Sequence, residues 1–160
     1  MPALSPYIAR LAHSSGGALP QMQAWLGQQF TYHRQTTGGL GQRLHQAFMG
    51  NFQAGKAAVV AIGSDCPELN TDHLEQAFEA LQTRDVVLGP AVDGGYYLIG
   101  LSQPQAKLFQ DIPWGTGDVY ARTVAIANHL NLSIATLELL RDVDRPEDLE
   151  LLNPTYPLRY

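Results

Sequence analysis

The chain has 160 residues, of which 45% are hydrophobic and 16% charged, and a net charge of −5. That is enough for a single soluble domain over residues 1–160 with a real core, and the absence of a basic block argues against nucleic acid as a partner. No apolar run approaches the ~20 residues of a membrane span, no signal-peptide block opens the chain, and the lone cysteine, Cys66, fits a reducing compartment. The expected location is the cytoplasm.

Taken in order, residues 4–13 read as a short strand-like arm and Ser14 to Gly17 as a loop. Pro20 to Leu26 suits a short helix with proline in its first turn. Phe30 to His33 reads as a brief strand, and Thr36-Thr37-Gly38-Gly39-Leu40-Gly41 as a turn that opens a helix. In that helix Leu40, Leu44, Ala47, Phe48 and Phe52 form one stripe, and Gly55 stops it. The run Ala57 to Ile62 is apolar and β-branched, as expected of a strand buried on both faces of a parallel sheet. Asn70 or Thr71 can cap the next helix, whose stripe is Leu74, Ala77, Phe78 and Leu81. Asp85 to Gly89 and Tyr96 to Leu101 read as strands joined by the tight turn Asp93-Gly94-Gly95. The loop 113–117 feeds a helix with Val119, Thr123, Ile126 and Leu130 on one face. Leu132 to Leu137 reads as a last strand and Arg141 to Leu152 as a closing helix. Alternating helices and strands give an α/β class.

Several groups could carry chemistry. Asp65 follows the Ala57 to Ile62 strand, and carboxyl ends of strands are where open α/β sheets place ligands. It reads either as a turn carboxylate or as a hard oxygen ligand for Mg²⁺ or Mn²⁺. The segment Asp142-Val143-Asp144-Arg145-Pro146-Glu147-Asp148 has the spacing of a helix start, with Asp144 and Glu147 as a capping box. It also holds four acidic residues in seven positions, a repulsion that a cation would relieve, with Asp144 as its outward ligand. Around Asp93, Gly94 and Gly95, side-chain-free backbone lets a ligand approach, with Asp93 available to a hydroxyl. Gly38 to Gly41 with Arg43 stands at a helix N-terminus, where anions are favoured, but matches neither a P-loop nor a dinucleotide fingerprint. Trp114, between proline and glycine, is either a ligand cover or a core plug. The five histidines have no ligand spacing, and Cys66 reads as a small buried residue.

The motifs GGLGQRLHQAF, VVAIGSDCPEL, VVLGPAVDGGYYLIGL, the Pro113-Trp114 loop and RDVDRPEDL occur in that order. Together, over roughly residues 20 to 152, they resemble a family of bacterial glycosyltransferase-like proteins in the nucleotide-diphospho-sugar transferase (GT-A) superfamily. That family is related more distantly to the molybdopterin-cofactor and phospholactate nucleotidyltransferases. The resemblance implies a Rossmann-like GT-A mixed sheet flanked by helices, a nucleotide-diphospho-sugar donor with an unidentified acceptor, and a Mg²⁺ or Mn²⁺ ion. By motif it implies Asp65 and Asp144 on the metal side and Asp93, Gly94 and Gly95 on the sugar and acceptor side, with Asp93 as the catalytic carboxylate. Gly39, Gly41 and Arg43 fall on the nucleotide-facing edge, beside Trp114. The family's opening strand, basic phosphate loop and first helix have no counterpart here, so an N-terminally truncated fold is expected. The vacancy would lie beside the SDCPEL strand, to be filled by the arm 4–13 or by a second copy, which makes a homodimer the expected assembly. Nucleotidyl transfer and a non-catalytic binding or dimerising module are the alternative functions.

Overall fold

The computed structural model describes residues 9–14 and 19–143. The elements in chain order are β1 (Leu11–Ser14), α1 (Leu19–Leu26), β2 (Thr31–Arg34), α2 (Leu40–Gln53), β3 (Val59–Ile62), α3 (Thr71–Ala80), β4 (Val86–Pro90), β5 (Tyr96–Leu101), a 3₁₀ turn (Ala106–Phe109), α4 (Val119–His129) and β6 (Ile134–Thr136). They form a parallel pair, β1–β2, and a four-stranded sheet of order β3-β5-β4-β6. Strand β5 runs antiparallel to both β3 and β4, whereas β4 and β6 are parallel. The sheet is therefore mixed.

The core is built by strand alternation. Val86, Leu88, Ile99 and Leu101 pack on one face with Phe48 of α2, Leu108 and Phe109 of the 3₁₀ turn, and Ala127 of α4. Val87 and Leu98 pack on the other face with Ala77 of α3 and with Leu81. Helices thus cover both faces. Asn70 caps α3: its side chain accepts from the amides of Asp72 and His73, a cap that contributes about 1 kcal/mol.

Three sequence expectations need correction. The Ala57 to Ile62 run contains β3, but β3 lies at an edge of the four-stranded sheet among the described residues and pairs antiparallel with β5. Ile62 is 50% exposed and Val59, Val60 and Ala61 are only half-buried, so the strand is covered less deeply than a central one. Val59 and Ala61 pack against one core cluster and Val60 against the other, so the apolar run serves both faces and a single ladder. Leu40, placed in the stripe of α2, is 44% exposed because it sits at the first helical position, and Gly41 with Phe48 carries the buried face instead. Within the expected arm, Leu11–Ser14 pairs with β2 rather than with β3. The expected closing helix falls beyond residue 143, except that Arg141 to Val143 are not helical.

Candidate functional site

Strands β3, β4 and β6 point the same way, so their carboxyl ends and the start of the opposed β5 meet at one end of the sheet. Asp65 lies there, two residues past Gly63, whose amide donates to the Tyr97 carbonyl at 3.0 Å and extends the β3–β5 ladder. Asp65 is exposed, and among the described residues its carboxylate has no hydrogen-bond or ion-pair partner. An exposed, unpartnered carboxylate remains free to take a ligand.

The segment that follows β6 is drawn across to it by a series of bonds. Tyr97 Oη donates to the Glu138 carbonyl at 3.0 Å. His73 Nδ1 accepts from the Asn70 amide at 3.2 Å, so its proton resides on Nε2 and points at Glu138 Oε1, 2.7 Å away. The Leu140 amide donates to the Pro90 carbonyl at 3.1 Å, and the Val92 amide donates to the Leu140 carbonyl at 3.0 Å. The Arg141 amide then donates to Glu68 Oε2 at 3.0 Å, and the Val143 amide to the Asp65 carbonyl at 2.8 Å. Val143, 78 positions further along the chain, is thereby held against the Asp65 backbone. Asp144 itself lies outside the described residues.

The turn between β4 and β5 forms the next wall. Asp93 Oδ1 accepts from the Gly95 amide at 2.7 Å, an Asx turn that leaves Oδ2 of this exposed residue outward. Gly94 has φ +88°, and a Cβ there would run into the Gly117 backbone, so both the left-handed conformation and the close approach require glycine. Its carbonyl accepts from the Tyr120 amide at 2.9 Å, docking the turn on the start of α4. Trp114 stands edge-on to Tyr96, with ring centroids 6.2 Å apart. Trp114 also fills the space where a Gly41 side chain would lie. Gly41 and Trp114 are thus brought together, and Trp114 is both half-buried support and part of the rim. Gly39 is exposed at the N-cap of α2. Arg43 departs from this group: its Nη1 donates to Gln35 Oε1 at 2.7 Å, toward β2.

Comparison with known proteins places this arrangement. Residues 3–116 match the family described as "Uncharacterized protein conserved in bacteria (DUF2064)". The chain belongs to that family. A solved structure from Desulfovibrio desulfuricans G20, described as a "putative nucleotide-diphospho-sugar transferase", is similar to this DUF2064 member with 35% sequence identity and a TM-score of 0.85. The similarity covers 94% of this chain and 68% of that one. No curated protein matches. The nucleotide-diphospho-sugar transferase-like (GT-A) fold, a mixed sheet flanked by helices, is thereby established for this DUF2064 protein.

Burial and charge tune the neighbouring groups. Burial pushes the Tyr97 phenol up to about 12, helped by Cys66 and Glu138. Burial likewise raises the Cys66 thiol, and the thiol is buried, so it is a poor nucleophile. Tyr96 is also raised by burial. Sequence reasoning overlooked His73, Tyr97 and Glu138, which hold the 138–143 segment in place. A signal was available: His73 occupies the position of α3 where a capping box normally carries Glu or Gln. Among the described residues no helix is long and apolar enough to cross a membrane, and no three His, Cys, Asp or Glu residues gather as a metal cluster.

Proposed function

We propose that this protein is a metal-dependent glycosyltransferase that takes a nucleotide-diphospho-sugar donor and passes the sugar to an acceptor hydroxyl. The observation that carries the reading is the Val143–Asp65 backbone bond, which brings the chain just before the second acidic motif to Asp65, whose carboxylate has no partner among the described residues, in a chain of this fold. A Mg²⁺ or Mn²⁺ ion fits this donor set: such ions bind one or two carboxylates and complete their shell with phosphate oxygens and water. Asp65 and Asp144 would hold it, and the ion when bound would supply charge neutralisation to the leaving diphosphate. Asp93 has Oδ1 fixed by Gly95 and Oδ2 outward, which suits it to accept the proton of the attacking hydroxyl. Gly39 is the exposed glycine of the nucleotide-facing edge and Trp114 covers one side, whereas Gly41 is closed by Trp114, Gly94 by the Gly117 backbone, and Arg43 turns toward β2. The reading includes a cytoplasmic location, in keeping with one buried free thiol, and a homodimer formed at the β3 edge, which has no partner strand among the described residues.

Titration of Mn²⁺ with nucleoside diphosphates tests the metal site. Asp65→Ala and Asp144→Ala are each expected to weaken Mn²⁺-dependent binding by about tenfold or more, the effect of losing one charged ligand. Equal binding by wild type and both variants would falsify the assignment. Release of free nucleoside diphosphate from the donor, rather than of pyrophosphate from a triphosphate, separates sugar transfer from nucleotidyl transfer.

A further inference from the structure

A cavity of about 310 Å³ lies between the β1–β2 pair and α2, and His13, His33, Arg34, Gln35, Arg43 and Asn51 are among its lining residues. Among the described residues no Asp or Glu lines it. The sequence explains why: Arg10, Arg34, Arg43 and Lys56 precede Asp65, but no acidic residue does, so all fifteen carboxylates belong to the remainder of the chain. Among the described residues the one ion pair is His73 with Glu138, which leaves Arg34 and Arg43 without a carboxylate partner.

Within the cavity wall the imidazoles of His13 and His33 stack at 5.4 Å between centroids. Burial and the neighbouring His33 charge both hold the His13 pKa below its ordinary value. The Nε of Arg43 is buried without a hydrogen-bond partner, while Nη1 is fixed by Gln35. Two permanent guanidinium charges and two titratable rings line the cavity, and among the described residues no carboxylate neutralises them. Such an arrangement is self-repelling when empty and complementary to an anion with several oxygens, for which the planar guanidinium is well suited. The volume is at the small end of the roughly 300–1,000 Å³ of small-molecule sites. That size, and the net negative charge of the whole chain, point to a compact ligand rather than a polyanion.

We propose that this cavity is a phosphate-binding site, in which Arg34 and Arg43, with His13 and His33, hold the phosphate group of a small phosphorylated molecule. It shares Arg43 with the transferase reading but does not rest on it. The phosphate belongs either to the diphosphate of the donor or to a separate phosphorylated ligand.

Isothermal titration of the full chain with pyrophosphate, in the absence of metal and nucleotide, tests the proposal. Binding is expected in wild type, and Arg43→Gln and Arg34→Gln are each expected to weaken it by about tenfold or more, as loss of a charge-assisted bond does. Arg34 is exposed, so its replacement leaves the fold intact, and matched melting temperatures verify this for both variants. Glu75→Gln, exposed on α3 and outside both sites, is expected to bind pyrophosphate like wild type. No binding in wild type, or wild-type binding in both arginine variants, overturns the site. Displacement of pyrophosphate by a nucleoside diphosphate but not by a sugar monophosphate identifies the donor as the source, and the converse identifies a separate ligand. Failure of the Asp65 metal test would leave these arginine results unchanged, so the two ideas fail independently.

Discussion

Strands β4 and β5 hide Val86, Val87, Leu88, Leu98, Ile99 and Leu101 from solvent, whereas β2 leaves Thr31, His33 and Arg34 exposed. The first pair belongs to the part of the chain that carries every carboxylate, and the second to a part that has none. Apolar burial at ~25 cal/mol per Å² can hold the β4–β5 region together unaided. A two-stranded pair with few buried side chains is marginal by itself, and its outward residues, Thr31, His33 and Arg34, are polar or basic. The contrast separates a scaffold, with the Asp65 and Asp93 end of the sheet attached, from a weakly packed flank whose residue choice makes more sense as ligand recognition than as packing.

The largest expected effect tests that division directly. Leu88→Ala removes a fully buried side chain from the face covered by α2 and α4 and should cost about 2–5 kcal/mol in denaturant unfolding. Tyr32→Phe in β2 removes only the bond from its hydroxyl to the Gly27 carbonyl, 2.5 Å long, and should cost about 1 kcal/mol. Equal losses would mean that the flank is as much scaffold as the sheet.

An intermediate effect is expected at the turn that joins scaffold to site. Gly94→Ala forces a side chain into the left-handed region against the Gly117 backbone, at a cost of about 1–3 kcal/mol. Because Asp93 is the preceding residue, donor turnover should fall more than stability alone explains. A variant that melts early but turns over normally would detach Asp93 from the chemistry.

Much of this frame was legible in the residues. The Asp93-Gly94-Gly95 turn dictates the β4–β5 hairpin, Asn70 announces α3, and the Gly39 to Gly41 run opens α2, since each is local chemistry acting over a few positions. What escaped depends on distance along the chain. Nothing near Ala57 to Ile62 says which neighbour it pairs with, so a strand that reads as central lies at an edge with an antiparallel partner. The approach of Val143 to Asp65 depends on His73, Tyr97 and Glu138, whose roles exist only after three elements have packed. The basic cavity escaped for the same reason: His13, His33 and Arg43 lie on three elements, and their charges become a feature only when those elements meet.

The smallest effect separates the two regions by pH. In the acidic part, Asp85 accepts from the Ser133 hydroxyl at 2.6 Å and the Ser133 amide at 2.8 Å, and these bonds hold its carboxyl below the ordinary 3.8. The unfolded chain then binds the proton more readily, so this stability is present above pH 3.8 and disappears as pH falls through the lowered native value. His13, in the basic part, is also lowered, from 6.5, by burial and by His33. The same sign applies in a higher window: its contribution is intact above 6.5 and erodes as pH falls through the native value. Arg34, Arg43 and His33 are the charged groups on the same cavity, all cationic, so none reverses that slope. His13 is exposed enough for water to screen much of the repulsion, which makes this the smaller step. Denaturant stability should therefore decline in two stages, and His13→Gln should remove only the upper one. Sulfate, a dianion throughout this range, should flatten the upper stage in wild type by favouring the protonated ring, and should do so less in Arg43→Gln. An upper stage that persists in His13→Gln, or that ignores sulfate, would show that the cationic flank does not couple its charge to an anion.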